Sequence, residues 1–298
     1  MESEGYDKLI EVNSITASYD DLGEGFSPII FIHGFPFSKS MWQPQVDFLK
    51  KTHHVIAYDI RGFGRSTSEV IRTASMELYA EDLIALMDGL HIEKAIVCGF
   101  SMGGYILLNA LHRFPERFSG VILADTQCIA DSQEAKENRN KTIEDIQENG
   151  LKSFAEKFIL KLFCEASLKH KKEIVKSIKN QILNTSQDSI IGGLKAMANR
   201  SDTSASLIEI DVPTLIICGK EDVLTPVEQS KFLEKNIEKS SLHILKKAGH
   251  LSNLEQPDHF NKIILDFIEN LPHLSTIKLY GNENLEMIPA LENSEIDS

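Results

Sequence analysis

The chain has 298 residues, 42% of them hydrophobic and 25% charged, with a formal net charge of -13. Those proportions describe an ordinary soluble globular protein, one large domain or a domain carrying an insertion. The acidic balance argues against nucleic acid or an anionic lipid surface as the main partner, because both favour a basic face. No run approaches the roughly 18 apolar residues of a membrane span, and the polar start at residues 1–7 has no secretory-signal pattern. Cys98, Cys128, Cys164 and Cys218 are scattered and form no C-x-x-C, so buried free thiols and a cytoplasmic protein are expected.

In chain order, residues 9–15 and 16–20 read as an antiparallel opening hairpin of alternating character. Residues 28–33 form a continuous apolar run of the kind a strand buried on both faces requires, and 55–58, 95–98, 121–124 and 214–218 repeat it. Helical stretches lie between most of these runs, over 41–51, 75–90, 102–114 and 227–236. A last strand follows at 242–245 and a closing helix at 251–270. The alternation predicts an α/β chain with a mostly parallel, doubly wound sheet, whose ligands bind beyond the carboxyl ends of the strands. His33, Asp59, Ser101, Asp125, Asp222 and His250 all fall just after strand-like runs and can share that rim.

One stretch breaks the pattern. Between 129 and 206 there is only charged, amphipathic helical sequence, with Phe154, Phe158, Ile159 and Leu162 on one side of a helix. Helices inserted after Asp125 would cover the rim as a cap. Most of their apolar residues must pack the helices on each other, while a few, Phe154 and Phe158 among them, face the site and make a mainly apolar pocket. The expected division is a core at 1–128 and 207–271, a cap at 129–206, and an acidic tail at 272–298. In that tail, residues 281–298 contain Glu283, Glu286, Glu292, Glu295 and Asp297 and no lysine or arginine.

The chemistry concentrates in Gly99-Phe100-Ser101-Met102-Gly103, a G-x-S-x-G set between a strand-like run and a helix. A turn that sharp strains the serine backbone, so its neighbours two away must lack a Cβ, and the hydroxyl projects above the strand. A serine hydroxyl is a weak nucleophile until a base takes its proton, and the base needs a third group to hold its tautomer. Among ten histidines, His250 stands out, following the last strand-like run as Gly249-His250. The third group is expected on another rim loop: Asp222, after the 214–218 strand, with Glu221 its rival by adjacency and Asp125 by position. Two fixed N–H donors are also needed for a tetrahedral oxyanion. Met102 can supply one and Phe35, in His33-Gly34-Phe35-Pro36, the other, with Pro36 stiffening the loop. Asp59-Ile60-Arg61-Gly62-Phe63-Gly64 lacks the phosphate-loop pattern and reads as a loop pinned by Asp59 and Arg61. No cluster has metal-ligand spacing, so no metal and no cofactor are expected.

These motifs, in this order, resemble the α/β-hydrolase superfamily. His33-Gly34-Phe35-Pro36, Asp59-x-Arg61-Gly62-x-Gly64-x-Ser66, Gly99-x-Ser101-x-Gly103-Gly104, Gly219-x-x-Asp222 and Gly249-His250 run from about residue 10 to 271. The resemblance implies an α/β-hydrolase fold: an eight-stranded, mostly parallel sheet with an all-helical cap after the sixth strand. It also implies a Ser101-Asp222-His250 triad with Phe35 and Met102 as oxyanion hole. Within the superfamily the chain is most similar to carboxylesterases, enol-lactone hydrolases and cofactor-free haloperoxidases. His33-Gly34-Phe35-Pro36-x-Ser38-x-x-x-Trp42-x-x-Gln45 is like the loop of that last group, whose proline is associated with peracid formation. Phe35, Pro36 and Trp42 are accordingly expected at the substrate, with Phe154 and Phe158. The implied function is a serine hydrolase acting on a small ester or lactone through an acyl-enzyme. The alternatives are a ligand-sensing receptor or regulator with weak turnover, or a perhydrolase or carbon–carbon hydrolase using the same residues. Nothing in the sequence sets an oligomeric state.

Overall fold

The structure, a computed structural model, describes residues 4–25, 27–66 and 74–271. Eight strands form one sheet in the order β1-β2-β4-β3-β5-β6-β7-β8. They are β1 (Lys8–Val12), β2 (Ile15–Leu22), β3 (Ile29–Ile32), β4 (Val55–Tyr58), β5 (Ala95–Phe100), β6 (Phe118–Ala124), β7 (Thr214–Gly219) and β8 (Ser240–Leu245). The hairpin β1–β2 is antiparallel and β2 meets β4 antiparallel; every pairing from β4 to β8 is parallel. Every residue of β3, β4, β5 and β7 is buried, which is why these strands read as unbroken apolar runs. The order reverses at β3, which has β4 on one side and β5 on the other. In sheets of this kind ligands bind beyond the carboxyl ends of the strands at such a reversal.

Helices α1 (Gln43–Leu49), α2 (Met76–Gly89), α3 (Met102–Arg113), α9 (Val227–Asn236), α10 (Ser252–Glu255) and α11 (Pro257–Glu269) flank the sheet. Five more, α4 (Gln133–Asn149), α5 (Leu151–Leu162), α6 (Glu165–His170), α7 (Lys172–Asn184) and α8 (Gln187–Ala198), stand between β6 and β7. Serines start several of them: Ser75, Ser132 and Ser186 accept the N–H three residues on, at α2, α4 and α8. The inserted helices are tied to core loops. Thr185 Oγ1 donates to the Pro36 carbonyl at 3.0 Å, Ser189 Oγ donates to the Gly62 carbonyl, and Thr203 N–H donates to Cys128 at 3.0 Å.

Three local expectations change. The opening turn falls at Asn13-Ser14, both with positive φ (44° and 62°), so Ile15 begins β2 and does not end β1. The closing helix is two helices, because Pro257 has no N–H to continue α10 and instead occupies the first turn of α11. The segment before α1 is a short 3-10 turn at Lys39–Trp42. All four cysteines are free and buried. Among the described residues no helix is long and apolar enough to cross a membrane. The acidic stretch expected at 272–298 lies outside the described residues.

Candidate active site

β5 runs into α3 through Ser101, whose φ of 52° and ψ of -114° lie in a region L-residues avoid. The turn closes only because its flanks have no side chains: a Cβ on Gly99 would sit 2.4 Å from the Gly103 carbonyl oxygen. Backbone bonds hold the strained residue in place. Its N–H donates to Ala124 at 2.9 Å, and its carbonyl accepts from Thr126 Oγ1 at 2.8 Å. Ser101 occupies the N-cap position of α3, yet its hydroxyl does no capping. A serine there ordinarily bonds the helix N–H groups; this one donates to His250 Nε2 at 2.9 Å.

His250 Nδ1–H donates to Asp222 Oδ2 at 2.8 Å, which fixes the tautomer and leaves Nε2 as the acceptor facing Ser101. Asp222 is buried at the end of its loop and receives three further donors. Leu224 and Thr225 N–H reach Oδ1 at 2.8 and 3.0 Å, and Thr225 Oγ1 reaches Oδ2 at 2.6 Å. Burial works to raise the Asp222 pKa, but the charge of His250 and the hydrogen bonds from His250 and Thr225 hold it below its ordinary value. The carboxyl group thus stays an acceptor for the imidazole. Thr225 was not singled out in the sequence, although Asp222-Val223-Leu224-Thr225 has the spacing of an aspartate turn.

Of the rival acids, Glu221 is exposed and Asp125 is committed elsewhere. Asp125 Oδ1 accepts the Gly219 N–H at 2.8 Å and Oδ2 accepts from Ser252 Oγ. It therefore staples the loop that leads to Asp222 to the segment just after His250. Burial first, and the neighbouring Asp222 charge second, push the Asp125 pKa well above its usual value.

The loop after β3 runs against the serine: a Cβ on Gly34 would lie 3.3 Å from Ser101 Cβ. Among the described residues, neither the Phe35 nor the Met102 N–H is spent on a loop or cap hydrogen bond. Phe35 meets Phe154 and Phe158 edge-on at 6.3 and 6.2 Å, and those two rings stack at 5.2 Å. Pro36, joined to Phe35 by a cis peptide bond, turns its carbonyl to Thr185. Trp42 lies deeper than Phe35. Its indole is fully buried against Phe31, Phe100 and Phe260, between β3 and α11 and behind Phe100. Asp59 pins its loop as expected, accepting the N–H groups of Lys39 and Arg65 at 2.7 and 2.8 Å.

His33 is no proton shuttle. Its Nδ1–H donates to the Gly34 carbonyl at 2.8 Å and its Nε2 accepts the Ile60 N–H at 3.0 Å, so both nitrogens are used in the neutral form. Burial drives its pKa from 6.5 down to about 4. The unfolded chain binds that proton below about pH 6.5 and the folded chain only near pH 4, so the neutral histidine's contribution is complete above pH 6.5 and is lost as pH falls toward 4. The shift corresponds to about 3 kcal/mol. Urea midpoints across that window should fall more steeply for wild type than for His33→Gln, and parallel slopes would refute the assignment.

A mostly parallel sheet with this strand order and a serine on a strained strand–helix turn define the α/β-hydrolase class. The chain belongs to that family: its profile, described as alpha/beta hydrolase fold, matches residues 27–257. Over 256 residues the chain is 31% identical to 3-oxoadipate enol-lactonase 2 of Acinetobacter baylyi, covering 86% of this chain and 94% of that one. Among solved structures, an esterase from Thermogutta terrifontis superposes with a TM-score of 0.85 at 31% identity, covering 89% and 99% of the two chains. An enol-lactonase from Burkholderia xenovorans superposes at 0.82 with 27% identity, covering 88% and 100%.

Proposed function

We propose that the protein is a serine hydrolase that cleaves small carboxylic esters or lactones through an acyl-enzyme. The observation that carries this reading is the continuous hydrogen-bond chain from Ser101 through His250 to Asp222, 2.9 and 2.8 Å long. In that reading Ser101 attacks the carbonyl carbon while His250 Nε2 takes the hydroxyl proton. Asp222 holds the imidazole in its tautomer and orientation. The Phe35 and Met102 N–H groups receive the oxyanion, where fixed donors outperform water because they need no reorganisation. His250 then returns the proton to the leaving alkoxide, and water repeats the sequence to release the acid. The helices at 129–206 act as a cap, with Phe154 and Phe158 on the acyl or alcohol side of the pocket. The enol-lactonase and esterase relatives support the substrate class.

The test is a panel of p-nitrophenyl esters of increasing acyl length and of simple lactones, run on wild type and Ser101→Ala. Turnover that depends on Ser101 is expected; tight ligand binding with almost no turnover would make the protein a sensor. The aromatic cluster further predicts that uncharged, small to medium substrates are preferred, since an ionic group against it would lose hydration without a partner. Best turnover on anionic phosphate esters or long-chain emulsified lipids would contradict that.

A further inference from the structure

His250 is attached to the inserted helices through both of its chain neighbours. On one side, the Leu251 N–H donates at 3.0 Å to the carbonyl of Leu162, the last residue of α5. On the other, the Gly249 N–H donates to Glu255 Oε1 at 2.7 Å, and the second oxygen of that carboxyl group accepts the Cys164 N–H at 2.9 Å. Cys164 is the N-cap of α6, two residues beyond α5. Glu255 is 0% exposed, so neither bond competes with water, and losing either would strand a buried donor. The contact is tight as well. A Cβ on Gly249 would lie 2.6 Å from the Cys164 nitrogen and 2.8 Å from the Phe163 carbonyl carbon. Lys171 Nζ, at the start of α7, donates to the Glu255 carbonyl and fastens the same turn from outside.

Among the described residues Glu255 makes no hydrogen bond to Ser101, His250 or Asp222. Its bonds join the histidine loop to the end of α5, and α5 is the helix that carries Phe154 and Phe158. One rigid element therefore holds the aromatic cluster along its length and the backbone of His250 at its end. We propose that Glu255 is a positioning residue for His250: by bridging Gly249 and Cys164 it makes the end of α5 the mount of the imidazole. The inference rests on the hydrolase reading above. The cap is then more than a cover, because a displacement of α5 also moves the group that takes the serine proton.

Glu255→Gln keeps the side chain's shape but sets an NH2 donor against one of the two backbone donors. The loop must shift, and a misplacement of about 1 Å in a reacting group costs on the order of 10²-fold in rate. Turnover of p-nitrophenyl acetate, normalised to folded protein, should fall about 10- to 100-fold in kcat with KM within about three-fold. The far-downfield proton resonance of His250 Nδ1–H should weaken or move, which a loss of stability alone would not produce. A kcat within two-fold of wild type with an unchanged resonance overturns the proposal. Should the glutamine variant not fold, Glu255→Asp, whose shorter carboxyl cannot reach both donors, is expected to show the same kcat loss; wild-type kcat there overturns it. Ser101→Ala run alongside separates the two readings. If it is as active as wild type the hydrolase reading fails, and the resonance in Glu255→Gln then decides the placement of His250 by itself.

Discussion

Replacing Ser101 by alanine is expected to leave the protein folded and to lower ester turnover by about 10³-fold or more, with no labelling by a fluorophosphonate. The expectation of intact folding comes from what the side chain does and does not do. Among the described residues its hydroxyl bonds His250 alone and caps nothing in α3. The bonds that hold the elbow are to the backbone of Ser101, from Thr126, Gly104 and Tyr105 and to Ala124, and alanine keeps all of them. The backbone strain is common to both residues, since each carries a Cβ at a φ of 52°. Some acceleration over water should survive, because binding and the oxyanion donors remain. Intact-mass measurement after labelling, with kcat on the same samples, checks both halves. A labelled alanine variant would remove Ser101 from the chemistry.

Asp222→Asn is expected to lower kcat by about 10⁴-fold while the fold persists. The amide is close in shape, but its NH2 group would face the His250 Nδ1–H, so the imidazole turns over to the tautomer that presents N–H to Ser101. Part of the carboxyl's anchoring survives, because the asparagine oxygen can still accept the Leu224 and Thr225 N–H groups. Asp125→Asn makes the contrasting case. Its oxygen can still accept the Gly219 N–H and its NH2 can donate to Ser252, so kcat should stay within a few-fold and stability should fall by at most about 1–3 kcal/mol. Measuring kcat and the urea midpoint for both variants decides between the two acids. Inactivation by Asp125→Asn of a well-folded protein, with Asp222→Asn active, would reverse the assignment.

Several features of the fold could be read from local sequence because local sequence causes them. Strands β3, β5 and β7 are buried at every position and, apart from Thr214, carry no polar side chain, because helices or loops cover both faces. The elbow needs glycines at 99 and 103 because no larger residue fits the approach of strand and helix. The break at Pro257 has a local cause too, a missing N–H, but the apolar period runs through it and reads as one helix. The surroundings of Trp42 are not legible locally, because its ring neighbours Phe31, Phe100 and Phe260 come from three separate elements.

By itself the sequence determined which side chains were chemically able to act: a serine on a forced turn, a histidine after the last strand, and carboxylates on rim loops. Strand order is enough to bring such loops to one edge. Which carboxyl meets the imidazole was decided only in three dimensions. Asp125 and Asp222 are both buried aspartates beyond strand ends, but one is drawn to Gly219 and Ser252, 94 and 127 residues away, and the other to His250, 28 residues away. Glu255 was invisible for the same reason, since its partner Cys164 is 91 residues distant on an inserted helix. Residue type sets what a group can donate or accept, but the direction of a buried side chain is set by the donors that packing leaves without water, and those come from elsewhere in the chain.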